Sequence, residues 1–122
     1  MTTPKATAGT ATALRLEARA MDKPDETKNA PHCKVEITRL QGKTFTRFTF
    51  LPGFRWSKDM GPIMGVDRCP GTHFSYQVSG RLGVQMRDGA EMVLEPGQAQ
   101  VIPPGHEVWV IGNEPFVGIT ID

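Results

Sequence analysis

The stretch Gly97-Gln98-Ala99-Gln100-Val101-Ile102-Pro103-Pro104-Gly105 decides how this chain folds. Pro96-Gly97 and Pro104-Gly105 punctuate it as turns, and the residues between fit a short strand over 98–102. Further strands follow at close spacing, EVWVI at 107–111 and FVGITI at 116–121. Upstream, Asp88-Gly89 lies between RLGVQMR and AEMVL, a hairpin signal because both central residues of a type I′ turn need positive φ. TFTRFTF at 44–50 is strand-like, and Pro52-Gly53 marks the turn after it. Earlier still, Cys33, Val35 and Ile37 alternate with Lys34, Glu36 and Thr38, the period of two that a half-buried strand requires. Short strands at this spacing, with 13 glycines and 10 prolines in 122 residues, predict an all-β sandwich or barrel in a single domain.

The spacing extends to a second frame. Gly61 is followed by five residues, then Asp67-Arg68-Cys69, three residues, His73, six residues and Gly80. Together the frames resemble the two sequence motifs of the cupins, whose first motif places His-x-His and Glu where Asp67, Cys69 and His73 stand. Its second motif places a histidine where Val108 stands, whereas here the histidine is His106, two residues early. The strings PGFRWS at 52–57 and PPGHEVWVIGNEP at 103–115 are similar to the PGWRWS-like and PPGHDAWVVGDEP-like strings of small single-domain cupins. The resemblance covers roughly residues 22–122 and implies a jelly-roll β-barrel. The barrel is expected over residues 13–122, after a polar, disordered tail at 1–12. Leu14 and Leu16 are the first residues able to dock.

Composition narrows the partners. A net charge of +1 gives no footprint for nucleic acid. Two cysteines make no disulfide framework, and no long apolar run predicts a membrane span, so a reduced, cytoplasmic chain is expected. No nucleophile elbow, phosphate loop or paired CxxC is present.

Strand parity carries the candidate site. Asp67, Cys69 and His73 share one face of an extended segment, and His106 shares parity with Val108 and Val110. The metal set expected is therefore His73, His106, Cys69 and Asp67. A thiolate among these ligands favours Zn, Fe or Cu over Mn or Mg as a divalent cofactor. Arg55, Trp56, Ser75, Gln77 and Val108 complete the expected ligand pocket, with Arg55 matched to a carboxylate. Trp109 opposes His106 in parity and reads as packing, Lys58 and Asp59 as a solvated loop, and His32 as a surface residue. A nucleophilic Cys69 would need a lowered pKa and a histidine partner.

One conflict stands inside this reading. From 73 to 79 the apolar set is Phe74, Tyr76 and Val78, which by simple patterning puts His73 in water. The cupin arrangement reverses that only if the barrel holds a polar pocket and the outer face is covered by a second subunit or the N-terminal arm. A homodimer is the expectation.

Three functions fit. The resemblance implies a metal-dependent enzyme of isomerase, cyclase, lyase or dioxygenase type acting on a small organic molecule in the barrel interior. The second is a metal-free binding or sensing module for a small molecule, and the third a structural homodimer without ligand.

Overall fold

A computed structural model describes residues 13–122; the tail expected at 1–12 lies outside them. Nine strands, β1 (Glu26–Ala30), β2 (Cys33–Leu40), β3 (Lys43–Phe50), β4 (His73–Ser79), β5 (Arg81–Gln85), β6 (Glu91–Leu94), β7 (Ala99–Ile102), β8 (Glu107–Ile111) and β9 (Phe116–Ile121), are interrupted by two one-turn helices, α1 (Trp56–Asp59) and α2 (Gly61–Met64). They form an antiparallel sheet of order β1-β2-β3-β9-β4-β7 and a smaller one of order β6-β5-β8. The sheets are not closed into a continuous barrel, but the architecture is that of a jelly roll.

The inner face of the large sheet can be read straight across its register. Cys33 pairs with Phe50 and Val35 with Phe48. Phe50 pairs with Phe116 and Phe48 with Gly118. Ser75 lies opposite Thr120, and His73 opposite Ile102. Because side chains alternate with period two, all of these project to the same side. Phe50 stacks on Phe54 at 4.1 Å and on Phe116 at 5.2 Å between ring centroids. Burying each such ring stabilises the fold by about 1.5–3 kcal/mol. Leu82, Val84 and Val108 face them from the small sheet.

Trp109 points the other way, as its parity requires. It lies on Gly83, whose missing side chain makes room: a Cβ there would sit 2.2 Å from the indole. The Arg55 guanidinium covers the same ring at 4.8 Å.

Several local expectations are corrected. The Asp88-Gly89 loop is not type I′. Gly89 has φ +93° whereas Asp88 is not in the positive-φ region. The Gly89 amide donates to Met86 O and the Met86 amide to Ala90 O, and the Asp88 carboxylate accepts from the Ala90 amide at 2.9 Å. That is a three-residue loop with a bulge, in which only the glycine needs positive φ. Asp59 is buried rather than solvated, at 5% exposure. It accepts from the Arg55 amide at 3.1 Å and lies 3.4 Å from His32 Nδ1, because the segment coils into α1 and turns the carboxylate back onto its own first turn. Leu14 and Leu16 do not dock but are exposed. The arm is held instead by polar contacts, Arg15 backbone to the Gln41 amide and Arg19 to Asp25 and Arg39 O.

Candidate metal centre and cavity

The loop after β7 brings the key side chains together. Backbone bonds from the Cys69 amide to His106 O (3.0 Å) and from the Gly105 amide to Cys69 O (2.8 Å) lay the segment before β4 alongside the start of β8. Cys69 and His106 become neighbours although they are far apart in sequence. His73, first residue of β4, completes the group: its Nε2 lies 3.6 Å from Cys69 Sγ. Its ring meets that of His106 edge-on at 5.1 Å and that of Phe48 at 5.6 Å. One ligand atom from each of Cys69, His73 and His106 lies within 4.8 Å of the others. His73 therefore points inward, and Phe74 and Tyr76 outward at 65% and 52% exposure. The simple-patterning expectation fails because this sheet has a cavity, not solvent, on its inner side.

Burial sets the protonation of all three. It pushes the His73 pKa down, helped by His106 nearby, and pushes His106 down as well, against the hydrogen bond to Pro103. Both rings are thus neutral at neutral pH. His106 Nδ1 lies 2.5 Å from Pro103 O. A carbonyl can only accept, so Nδ1 carries the proton and Nε2 keeps its lone pair for a ligand, the tautomer control usual for metal-binding histidines. Burial raises the Cys69 pKa, so the thiol is not primed as a free nucleophile.

The residues fit a transition metal. Ligand atoms about 2.0–2.3 Å from a tetrahedral ion lie about 3.3–3.7 Å apart. The Cys69–His73 separation of 3.6 Å meets that directly. The widest edge of the group is at most 4.8 Å.

The other expected ligand, Asp67, is not brought in. It lies at the surface, with its side chain 76% exposed and paired with Arg87 at 3.2 Å. Asp67 lies in the bends at 66–68 that follow α2, so the extended run that shared parity had assumed does not hold between it and Cys69. The cluster that remains, Cys69, His73 and His106, could offer a metal three protein ligands.

These side chains face a cavity of about 330 Å³ between the sheets. Of the expected pocket residues, Trp56, Ser75 and Val108 line it. Gln77 has inward parity but does not. Its Nε2 donates to Gly80 O (2.7 Å) and Leu94 O (3.0 Å), and its Oε1 accepts from Gln100 (2.6 Å), which closes the end of the sandwich. Arg55 is also elsewhere, 3.3 Å from Glu107 on the outer side. Glu107 is buried, accepts from the amide and hydroxyl of Ser57, and so anchors α1 over the cavity.

Sequence reasoning missed much of the lining. Phe48, Phe50, Phe116 and Thr120 were visible in strand alternation, had the inner face been assigned. Met60 and Met64 come from the short helices, which gave no periodic signal. Cys33 also lines the cavity, its pKa raised to about 11 by burial and by Asp59.

Among the described residues, no helix is long and apolar enough to cross a membrane. No protein-family model matches the chain, and no curated protein sequence does. Solved structures do resemble it. The polyketide cyclase RemF from Streptomyces resistomycificus gives a TM-score of 0.62 at 16% identity, over 88% of this chain and 78% of that one. Ectoine synthase from P. lautus gives 0.59 at 9% identity, over 87% and 76%. A cupin-like protein from Thermotoga maritima gives 0.53 at 20% identity, over 74% and 67%. The inward cluster, the two facing sheets and these likenesses agree: the chain folds as a small cupin-type domain.

Proposed function

We propose that this protein is a metal-dependent enzyme that acts on a small organic molecule held between its two sheets. The observation that carries this reading is the convergence of Cys69, His73 and His106 inside a cavity of ligand size. The structural likeness to a polyketide cyclase and to ectoine synthase is consistent with it, though at such low identity it speaks for the scaffold alone. A bound Zn or Fe ion would supply Lewis-acid polarisation of a carbonyl or enol oxygen. The protein's own groups hold the site: Pro103 fixes the His106 ring, and Trp56, Met60, Met64, Ser75 and Thr120 line the cavity beside it.

Elemental analysis of the tag-free chain tests the reading. Near-stoichiometric Zn or Fe after purification, or after reconstitution, is the expected result. A chain that stays empty under both conditions overturns it and leaves the metal-free binding module.

The partner in this proposal is a second copy of the chain. Phe74, Tyr76, Val101 and Ile121 form an exposed apolar face on the large sheet, and the arm leaves Leu14 and Leu16 free of their own subunit. Such a face on one molecule invites a symmetric mate. Light scattering is expected to give about twice the 13.4 kDa chain mass, falling to the monomer in Phe74→Glu. A monomeric wild-type chain at micromolar concentration rules the dimer out.

A further inference from the structure

The cavity wall carries information about charge. None of the residues that line it is Lys, Arg, Asp or Glu. Cations on neighbouring segments are engaged elsewhere: Arg55 with Glu107 and Trp109, Arg47 with Glu36 and Met21 O, and Arg68 with Gln85 and Gly105 O. An anionic group placed away from the metal cluster would therefore be buried without a partner, at heavy cost.

Polar atoms are confined to one strip. His73 and Ser75 lie on β4, Thr120 is the cross-strand partner of Ser75, and Cys69 and His106 close the strip at one end. Ser75 and Thr120 both line the cavity, and their hydroxyls have no hydrogen-bond partner among the described residues. The remainder of the wall is aromatic and aliphatic, with Phe48, Phe50 and Trp56 presenting ring surface. Gly71 leaves the approach to the cluster open, since a Cβ there would lie 3.5 Å from His73 Nε2 and 3.6 Å from Cys69 Sγ. A volume of about 330 Å³ is at the low end of the range for organic ligands, about 300–1,000 Å³.

We infer that the ligand is a flat, largely apolar ring compound of bicyclic size, with one phenolic or enolic oxygen directed at Cys69, His73 and His106 and a second, uncharged oxygen bonded by Ser75 and Thr120. Phosphate esters and compounds with two acidic groups are rejected. The carboxylate that Arg55 was expected to bind has no place in this pocket. The position of the acidic oxygen rests on the metal-site reading above, whereas the apolar body and the Ser75–Thr120 contact do not.

Calorimetric titration of the metal-reconstituted chain with 2-acetyl-1-naphthol, and separately with 1-naphthyl phosphate, tests this. The acetylnaphthol is expected to bind at least 100-fold more tightly than the phosphate. Ser75→Ala combined with Thr120→Val is expected to weaken it about tenfold, the loss of one or two neutral hydrogen bonds. With cobalt as the reconstituting metal, the visible absorption bands are expected to shift on addition of the acetylnaphthol. Equal or tighter binding of the phosphate overturns the inference, as does failure of the acetylnaphthol to bind a chain that holds stoichiometric metal; the latter leaves the metal reading intact. If the chain holds no metal yet binds the acetylnaphthol with the same dependence on Ser75 and Thr120, the metal reading falls and the ligand class stands.

Discussion

His106→Ala is expected to yield a folded protein that no longer retains metal, with affinity reduced by well over the roughly 10–100-fold that loss of an outer-shell partner costs. The variant removes one of three ligands and also the Pro103-fixed tautomer that leaves Nε2 available. Titration with zinc by competition against a chromogenic chelator measures the loss, and circular dichroism checks the fold. His73→Ala is expected to behave alike. In cobalt-loaded Cys69→Ala the sulfur-to-metal charge-transfer absorption should be absent while it is present in the wild type.

Affinity should also depend on pH with a definite sign. The Cys69 pKa is raised, so the apo chain carries a thiol that must lose its proton to ligate. His73 and His106 have lowered pKa values and add no proton above their titration range. Above the histidine range and below the thiol pKa, affinity should therefore rise about tenfold per pH unit, one proton being released per ion bound. Unchanged metal content in all three variants would show that these residues do not form the centre.

Gly80→Ala is expected to cause the largest loss of stability among single methyl additions. Gly80 adopts φ +76°, and an added Cβ would lie 2.3 Å from Pro115 O and 2.6 Å from Phe116 Cα, both backbone atoms that cannot rotate away. The left-handed conformation alone costs an L residue roughly 1–2 kcal/mol, and overpacking adds about 1–3 kcal/mol. Against a typical total of about 5–15 kcal/mol, that is enough to leave the domain marginal at physiological temperature. Gly97→Ala serves as the control, since Gly97 has φ +85° but nothing within 4 Å of the added atom. Urea denaturation should therefore place Gly80→Ala well below Gly97→Ala. Equal midpoints would mean that the backbone conformation, and not the close approach to β9, is what Gly80 serves.

Much of the fold was legible because strands advertise themselves locally. The alternation at Cys33, Val35 and Ile37 and the strings at 44–50, 107–111 and 116–121 became β2, β3, β8 and β9. β1, with the sequence ETKNA, gave no such signal. It is a polar edge strand whose partner, β2, supplies its pairing, so its conformation comes from a neighbour and not from its own pattern. Asp59 illustrates the same limit at one residue. Its carboxylate is buried because one turn of helix folds it back toward Arg55 and His32, a geometry that a short polar segment does not announce.

The candidate site was legible in part. Cys69, His73 and His106 were selected by frame and parity, and Trp56, Ser75 and Val108 by position; all six face the cavity. Asp67, Gln77 and Arg55 satisfied the same rules and went elsewhere: Asp67 to Arg87, Gln77 to Gly80, Leu94 and Gln100, and Arg55 to Glu107 and Trp109. Parity tells which side of a strand a residue leaves from. It does not tell whether that side holds a cavity, a closed end or a partner able to satisfy the side chain first.

By itself, then, the amino-acid sequence determined the strands, the turns between them and the scaffold, because alternation and turn chemistry are properties of a few consecutive residues. The tertiary structure decided that His73 faces inward, that Cys69, His73 and His106 converge without Asp67, and that no Lys, Arg, Asp or Glu lines the cavity. Each of these depends on which residues distant in sequence come to lie opposite one another, as the bond between Cys69 and His106 shows most directly, and such juxtapositions arise only when the sheets have packed.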